Sequence, residues 1–212
     1  MSYGYIGDTS SSIKQQVKNA GVLSMSDVLD LESKGHLGGS LELIEEQTFS
    51  SSVAQVDFTS IQESKYDVHF VNAKVKFGSG NSDLLGMRFF ESGVLETASV
   101  YQVATQNGQS NGTFSEARQT AFNYIFLGET TDAFQNVYCY LYNLGNSSKF
   151  SFATFQGIHL DSPQDAFFRF GGAVLPQASV VDGIRFFGGA SGNNIGADFN
   201  IKLYGVKQIW VT

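Results

Sequence analysis

The residue pattern changes near residue 41, and this change constrains the fold more than any other feature of the sequence. Before it lies a short polar segment with helical spacing that ends in Gly38-Gly39. After it, short runs of alternating polar and apolar residues are separated by Gly, Asn and Ser, which is the pattern of strands and turns. We therefore predict an N-terminal arm over residues 1–40 and a β-domain over residues 41–212.

The N-terminal arm carries apolar side chains that have no local packing partner. Ser12 and Ser24 are candidate caps of two short helices, which end near Gly21 and Gly35. Helices this short are not stable alone, so each needs a surface to pack on. The predicted docking or oligomer interface consists of Tyr3, Tyr5, Ile6, Ile13, Val17, Val28 and Leu31. For residues 1–11, a frayed terminus is the alternative that the sequence leaves open.

Residues 41–212 show the spacing of an all-β domain. Leu41 to Phe49 is the first predicted strand, and a change of phase between Phe70 and Val71 predicts a β-bulge. Residues 106–115 are predicted to form a long polar loop. Because many short strands follow one another without intervening helices, the pattern favours a β-sandwich or a closed barrel over a parallel α/β sheet, and we predict a jelly-roll-like β-sandwich.

The composition excludes several classes of partner. The chain has 13 basic and 20 acidic residues and a net charge of −7, which opposes binding to nucleic acid or to an anionic membrane. No run approaches the roughly 20 apolar residues that a membrane-spanning helix needs. The N-terminus lacks a signal-peptide pattern, so we expect synthesis in a cytoplasm. A surface poor in charge but rich in Ser, Asn, Gln and Gly suits subunit packing, although an ordinary soluble domain has a similar composition.

The histidines and the cysteine show no metal-binding or nucleophilic pattern. His36, His69 and His159 lack the close pairing of metal ligands. His69 lies in a predicted strand and is expected to be a partly buried structural residue. Cys139 is the only cysteine, and its strand-like surroundings predict a small buried side chain rather than a nucleophile. We expect no metal and no cofactor.

Serine and carboxylate patterns are equally weak indicators of catalysis. Ser191 lies in a glycine-rich loop that has neither a Gly-x-Ser-x-Gly pattern nor the ending of a phosphate-binding loop. Glu45-Glu46 and Asp161 with Asp165 are weak candidates for acid–base or calcium chemistry. We expect no enzyme activity. A glycan-cleaving enzyme or esterase stays open as a third class, because carboxylates far apart in the sequence can meet in three dimensions.

A row of tyrosines is the most distinctive chemical feature. At strand spacing, Tyr138, Tyr140 and Tyr142 share one face. Val137, Cys139 and Leu141 take the other face. Aromatic rows on a sheet stack on sugars or pack against a neighbouring subunit. We favour packing, and a glycan-binding face aided by residues 106–115 and 188–197 is the alternative.

Several stretches resemble virion proteins of tailed phages, especially those of marine and cyanobacterial phages. They are Ser12-Ile-Lys-Gln-Gln-Val-Lys-Asn-Ala-Gly-Val-Leu, Gly38-Gly-Ser-Leu-Glu-Leu-Ile-Glu-Glu-Gln-Thr, Asp57-Phe-Thr-Ser-Ile-Gln-Glu-Ser-Lys-Tyr-Asp-Val-His-Phe, Arg88-Phe-Phe-Glu-Ser-Gly-Val-Leu-Glu-Thr-Ala-Ser-Val-Tyr, Lys149-Phe-Ser-Phe-Ala-Thr-Phe-Gln, Val174-Leu-Pro-Gln-Ala-Ser-Val-Val-Asp-Gly-Ile-Arg-Phe and Lys202-Leu-Tyr-Gly-Val-Lys. The resemblance covers most of the chain. It implies a particle component with a jelly-roll-like body that is usually oligomeric, and it implies no catalytic site.

The arm and the resemblance together predict a non-enzymatic virion structural protein, made in the host cytoplasm. We expect a surface-exposed capsid decoration protein of the cement or head-fibre kind, anchored by its N-terminal arm. The alternative is a tail- or fibre-associated protein whose β-sandwich binds a carbohydrate on the host surface. Expected partners are the major capsid protein or tail proteins, further copies of the chain with a trimer as one candidate state, and in the alternative a host surface glycan.

Overall fold

The computed structural model describes residues 39–78, 83–130, 134–160 and 165–207, together with Leu29. From residue 39 onward, the regular structure in these ranges is entirely β-strand. The chain divides into two units, residues 1–40 and 41–212, at the position where the sequence pattern changes. The seven arm residues predicted to dock, from Tyr3 to Leu31, lie outside the described residues, so their role stays a prediction.

The described ranges contain thirteen strands, and the first, at Leu41–Phe49, confirms the sequence prediction. They are β1 (Leu41–Phe49), β2 (Gln55–Phe58), β3 (Val68–Val75), β4 (Asp83–Glu91), β5 (Val94–Leu95), β6 (Tyr101–Gln109), β7 (Phe114–Phe122), β8 (Ile125–Thr130), β9 (Gln135–Tyr142), β10 (Ser151–Leu160), β11 (Ala166–Leu175), β12 (Val181–Gly188) and β13 (Phe199–Val206). Within the part of the chain that the structure describes, no helix is long and apolar enough to span a membrane.

The strands form two antiparallel sheets. The larger sheet has eight strands in the order β1-β13-β3-β9-β10-β11-β6-β7. The smaller sheet has five strands in the order β2-β12-β4-β5, with β8 also paired to β4. Along the chain, β1, β3, β9 and β13 lie in the larger sheet, and β2, β4, β8 and β12 lie in the smaller one. The remaining strands β10, β11, β6 and β7 extend the larger sheet beyond β9.

Buried side chains from both sheets form one hydrophobic cluster, which makes the body a β-sandwich. Leu85, Met87 and Phe89 of β4 are fully buried, as are Cys139 and Leu141 of β9. Alternation at a period of two places these residues inside and their neighbours outside. Each such side chain contributes roughly 1.5–3 kcal/mol relative to an exposed position, so the cluster holds the two sheets together.

The predicted bulge between Phe70 and Val71 is wrong. Strand β3 keeps an unbroken register with β9 and with β13. The phase of apolar residues changes because the strand has apolar side chains on both faces. Val71 and Val75 point into the core, whereas Phe70 lies on the outer face. This outward Phe belongs to the candidate site described below.

The predicted polar loop at residues 106–115 is also wrong, because most of it is strand. Strands β6 and β7 form a hairpin whose turn is closed by Gln109 N–H donating to Thr113 O at 2.9 Å. Gly112 adopts a φ of 90°, which glycine tolerates without strain. The outer side chains of β6, such as Gln102 and Gln106, are polar and exposed, and this polarity resembles that of a loop.

Candidate functional site

The register of the larger sheet places side chains from all eight strands in continuous rows on its outer face. The central row reads Leu43, Tyr204, Phe70, Tyr140, Thr154, Gly172, Ala104 and Arg118, from β1 to β7. Its first four members are large and its next three are small. This division creates a raised half and a hollow half on one surface.

The raised half is an aromatic ridge, formed by Leu43, Phe70, Tyr138, Tyr140 and Tyr204. The Phe70 ring centroid lies 4.9 Å from that of Tyr140 and 5.9 Å from that of Tyr204. Tyr138 lies 6.3 Å away from the same ring. These spacings are those of aromatic pairs that pack favourably. The ridge is nevertheless open to solvent, since Leu43 is 51% exposed and Tyr138 is 40% exposed.

Hydrogen bonds to the neighbouring strand fix two of the three predicted tyrosines. The Tyr138 hydroxyl donates to Gln156 Oε1 at 2.8 Å, and the Tyr142 hydroxyl lies 3.3 Å from Thr154 Oγ1. Tyr138 and Tyr140 stand on the outer face, while Val137, Cys139 and Leu141 are buried, as the alternation predicted. Their role in packing or in glycan binding stays a prediction.

The hollow half is a groove of about 720 Å³. Small side chains at Ala104, Thr154 and Gly172 lie on the central row beneath it, and Tyr142 and Phe152 stand beside them on the next row. Its lining is mostly apolar, and Arg118 is the only charged residue in it. The full lining is Gln102, Val103, Ala104, Arg118, Gln119, Thr120, Tyr142, Phe152, Ala153, Thr154, Gly172, Ala173 and Val174.

The buried His69 and Cys139 have structural surroundings. His69 Nε2 lies 2.8 Å from the carbonyl oxygen of Ile61, so this nitrogen carries the proton. Burial lowers the pKa of His69. Burial also raises the pKa of the Cys139 thiol to about 12, which keeps it protonated and a poor nucleophile. The prediction of a small buried side chain at Cys139 is confirmed, and His69 is more deeply buried than expected.

Ser191 lies in a loop that is organised by the buried carboxylate of Asp83. Asp83 Oδ1 accepts backbone N–H groups from Leu84 and Ala190, both at 2.7 Å, and from Ser191 at 3.1 Å. Asp83 Oδ2 accepts the N–H of Asn193 at 2.9 Å. The glycine-rich loop is therefore held in place by hydrogen bonds from its backbone N–H groups to the Asp83 carboxylate.

The carboxylates singled out in the sequence also make structural contacts. Glu46 accepts a hydrogen bond from Asn200 and lies 3.4 Å from Lys202 Nζ, whereas Glu45 accepts one from Gln47. Asp165 accepts hydrogen bonds from Ser110 and Asn111. Asp161 and His36 lie outside the described residues. In the described ranges, no group of three or more His, Cys, Asp or Glu side chains is placed to hold a metal ion.

Sequence reasoning missed a buried cation on the inner face of β11. Arg169 Nε donates to Asn107 Oδ1 at 2.8 Å, and Arg169 Nη2 lies 4.0 Å from Glu129 Oε2. Burial lowers the pKa of Arg169, and the Glu129 charge opposes that shift. The neighbouring phenylalanines made this segment look uniformly apolar in the sequence. The residue links the added strands β11 and β6 to β8 of the smaller sheet.

The groove was missed as well, because its lining residues come from five strands whose pairing the sequence does not reveal. The tyrosine row of β9 and the change of phase at Phe70 were the local signals of an outward aromatic surface. No protein-family model, curated protein or solved structure matches this chain. The resemblance to phage virion proteins therefore stays an expectation, and the function has to be argued from the geometry.

Proposed function

We propose that this chain is a non-enzymatic structural protein of a tailed-phage virion, and specifically a surface-exposed capsid decoration protein. The observation that carries the proposal is the outer face of the eight-stranded sheet, which exposes Leu43, Tyr138, Tyr140, Phe152, Ile158 and Phe170. Contiguous exposed apolar surfaces on soluble proteins mark interaction sites. A protein that assembles with others in a particle packs against them through such a face.

The order of the strands supports the virion assignment. The path β1-β13-β3-β9 packed against β2-β12-β4-β8 follows the double-sheet jelly roll, an architecture common in viral capsid and lectin domains. In this interpretation, β6, β7, β10 and β11 are insertions that widen one sheet to eight strands, and β5 is an addition to the smaller sheet. The insertions supply the groove half of the outer face, so they enlarge the interaction surface.

The side chains singled out for chemistry favour a structural role over catalysis. The Cys139 thiol is buried and protonated, and Ser191 belongs to a loop held by Asp83. Glu46 is paired with Lys202. Burial explains Cys139, and hydrogen bonds or an ion pair explain the other two groups, without a reaction.

Deletion of residues 1–35 tests the proposed division of labour. We expect the truncated chain to keep its β-fold, because the described core lies in residues 41–212, and to be lost from purified particles. The measurement is the ratio of this chain to the major capsid protein on a quantitative gel. A copy number near that of the capsid protein supports decoration, and a few copies at one vertex supports the tail. Normal incorporation of the truncated chain contradicts docking through the arm.

A second candidate function is recognition of a host surface glycan by a tail- or fibre-associated protein. The groove favours it, because Tyr142 and Phe152 offer aromatic faces and Gln102 and Gln119 offer amide groups. Binding on a glycan array that is lost in Phe152→Ala but kept in Val94→Ser supports this function. Absence of binding at high protein concentration contradicts it.

A further inference from the structure

We infer that the outer face of the eight-stranded sheet binds a second copy of this chain, through a two-fold axis parallel to the strands between β9 and β10. This position is the middle of the sheet, with four strands on either side. It is also the boundary between the aromatic ridge and the groove. The association does not depend on the proposed place in a virion.

The two-fold axis places each ridge over the groove of the other copy. Rotation about it brings β9 opposite β10 of the second copy, β3 opposite β11, β13 opposite β6 and β1 opposite β7. In the central row, Phe70 then lies over Gly172 of the other copy. Tyr204 lies over Ala104 in the same way. Tyr140 lies over Thr154, so large side chains meet small ones at three of the four positions of this row, and at the outermost position Leu43 lies over Arg118.

This match satisfies the spacing that face-to-face sheets require. Packed sheets lie about 10 Å apart and interdigitate their side chains. Two ridges placed on one another would force the sheets further apart and leave both grooves empty. Ridge and groove in alternation fill the space on both sides of the axis, so the face is complementary to itself, as an isologous contact demands.

The charge of the face allows two acidic chains to approach. Each chain carries a net charge of −7, so most of its surface repels a second copy. In the rows of the outer face, Lys74, Lys202 and Arg118 outnumber Glu46 and Glu116. The face therefore has no excess of negative charge and is a suitable place for self-association.

The area of the face is also sufficient. Its rows extend over seven gaps of about 4.8 Å between strands, and four rows cover about 20 Å along the strands, which gives roughly 700 Å² per copy. A standard stable interface buries about 600–1,000 Å² per partner, a range that includes this area. The apolar and aromatic composition of the ridge is typical of the centre of such interfaces.

The mass of the full chain in solution is the first test. We expect about twice the 23.1 kDa of one chain by analytical ultracentrifugation at micromolar concentration. Tyr140→Lys puts a charge on the ridge. Ala104→Phe places a large side chain at an exposed position in the groove. Each substitution should raise the dimer dissociation constant at least 100-fold, while Val94→Ser, an exposed apolar change on the smaller sheet, should leave it unchanged. Circular dichroism checks that every variant is folded.

Disulfide trapping is the second test, and it specifies the geometry. Tyr204 and Ala104 lie five strands apart in one sheet, about 24 Å, which no intrachain disulfide can bridge. An equimolar mixture of Tyr204→Cys and Ala104→Cys chains should form a two-chain product under oxidation, and either variant alone should form little. The natural Cys139 is buried and does not interfere.

The opposing outcomes overturn the inference. A monomer at 100 micromolar, a mass of three chains, or a dimer insensitive to both ridge and groove variants is incompatible with this interface. Cross-linking of each single variant to itself would place the axis elsewhere. Glycan binding in the groove by a chain that stays monomeric would assign the face to a sugar instead. A dimer that is absent from particles would leave the inference intact and contradict the proposed function.

Discussion

At the scale of single residues, buried polar groups with specific partners tie the loops to the sheets. His69 is fully buried and its ring hydrogen-bonds the carbonyl oxygen of Ile61, which lies in the connection between β2 and β3. Its other ring nitrogen, Nδ1, has no hydrogen-bond partner and is shielded from water. Protonation of that nitrogen would place an uncompensated charge in the core, so the folded protein favours the neutral ring.

His69 should make stability depend on pH. Burial lowers the pKa of His69 below 6.5. As the pH falls through about 6.5, His69 therefore binds a proton in the unfolded chain but stays neutral in the folded chain. The free energy of unfolding is therefore fully retained above that pH and decreases below it, by at most about 1.4 kcal/mol per pH unit. Urea denaturation at pH 7.5 and 5.5 measures the loss. In His69→Gln, which keeps an N–H donor, the loss should shrink; an unchanged loss contradicts this role.

Asp83 should be the most sensitive carboxylate of the fold. In Asp83→Asn, an NH₂ group replaces one of the two oxygens that accept backbone N–H groups, so partly buried hydrogen bonds to the buried Asp83 side chain are lost. We expect a loss of roughly 2–3 kcal/mol in the free energy of unfolding. Asp198→Asn is the matched control, since Asp198 is exposed at a φ of 64° that Asn tolerates, and should change stability by less than about 0.5 kcal/mol. Equal losses of stability in the two variants would contradict the role of Asp83 in holding the loop.

At the scale of elements, the added strands β11 and β6 pack closely at Gly171, and the adjacent Gly172 has more room. A Cβ at Gly171 would overlap the carbonyl oxygen of Ala104, whereas a Cβ at Gly172 would meet Ala153 O at an ordinary 3.4 Å. Gly171→Ala should therefore destabilise the protein by about 1–3 kcal/mol. Gly172→Ala should be neutral or slightly stabilising, because glycine weakens a strand. Thermal unfolding at low protein concentration compares the unfolding temperatures of the two variants. A lower unfolding temperature for Gly172→Ala than for Gly171→Ala would show that β11 and β6 are not this close.

The elements could largely be predicted from the sequence, whereas their arrangement could not. Alternating apolar residues identified β4 and β9, which each have a buried face, and β1, whose inner face is partly buried. The hairpin β6–β7 was missed since its exposed side chains are polar. The order of the strands within each sheet depends on contacts between residues that are far apart in the sequence. Arg185, for example, forms two hydrogen bonds with Asp57, 128 residues earlier, at 2.7 and 2.6 Å.

At the scale of the whole molecule, the candidate site arises from sheet order and not from any local motif. The tyrosines of β9 were predicted to share a face, and they do. The groove beside them could not be predicted, because β10, β11, β6 and β7 reach that position through pairings that the local pattern does not specify. The strands that widen the larger sheet therefore supply most of the groove on the outer face.

Electron microscopy of intact particles tests the central claim most directly, because it shows what covers the outer face of the eight-stranded sheet. We expect the β-sandwich on the particle surface, with this face buried against another protein subunit. A sandwich in the particle whose Tyr140 and Phe152 face open solvent would contradict the account, and so would particles that lack the chain.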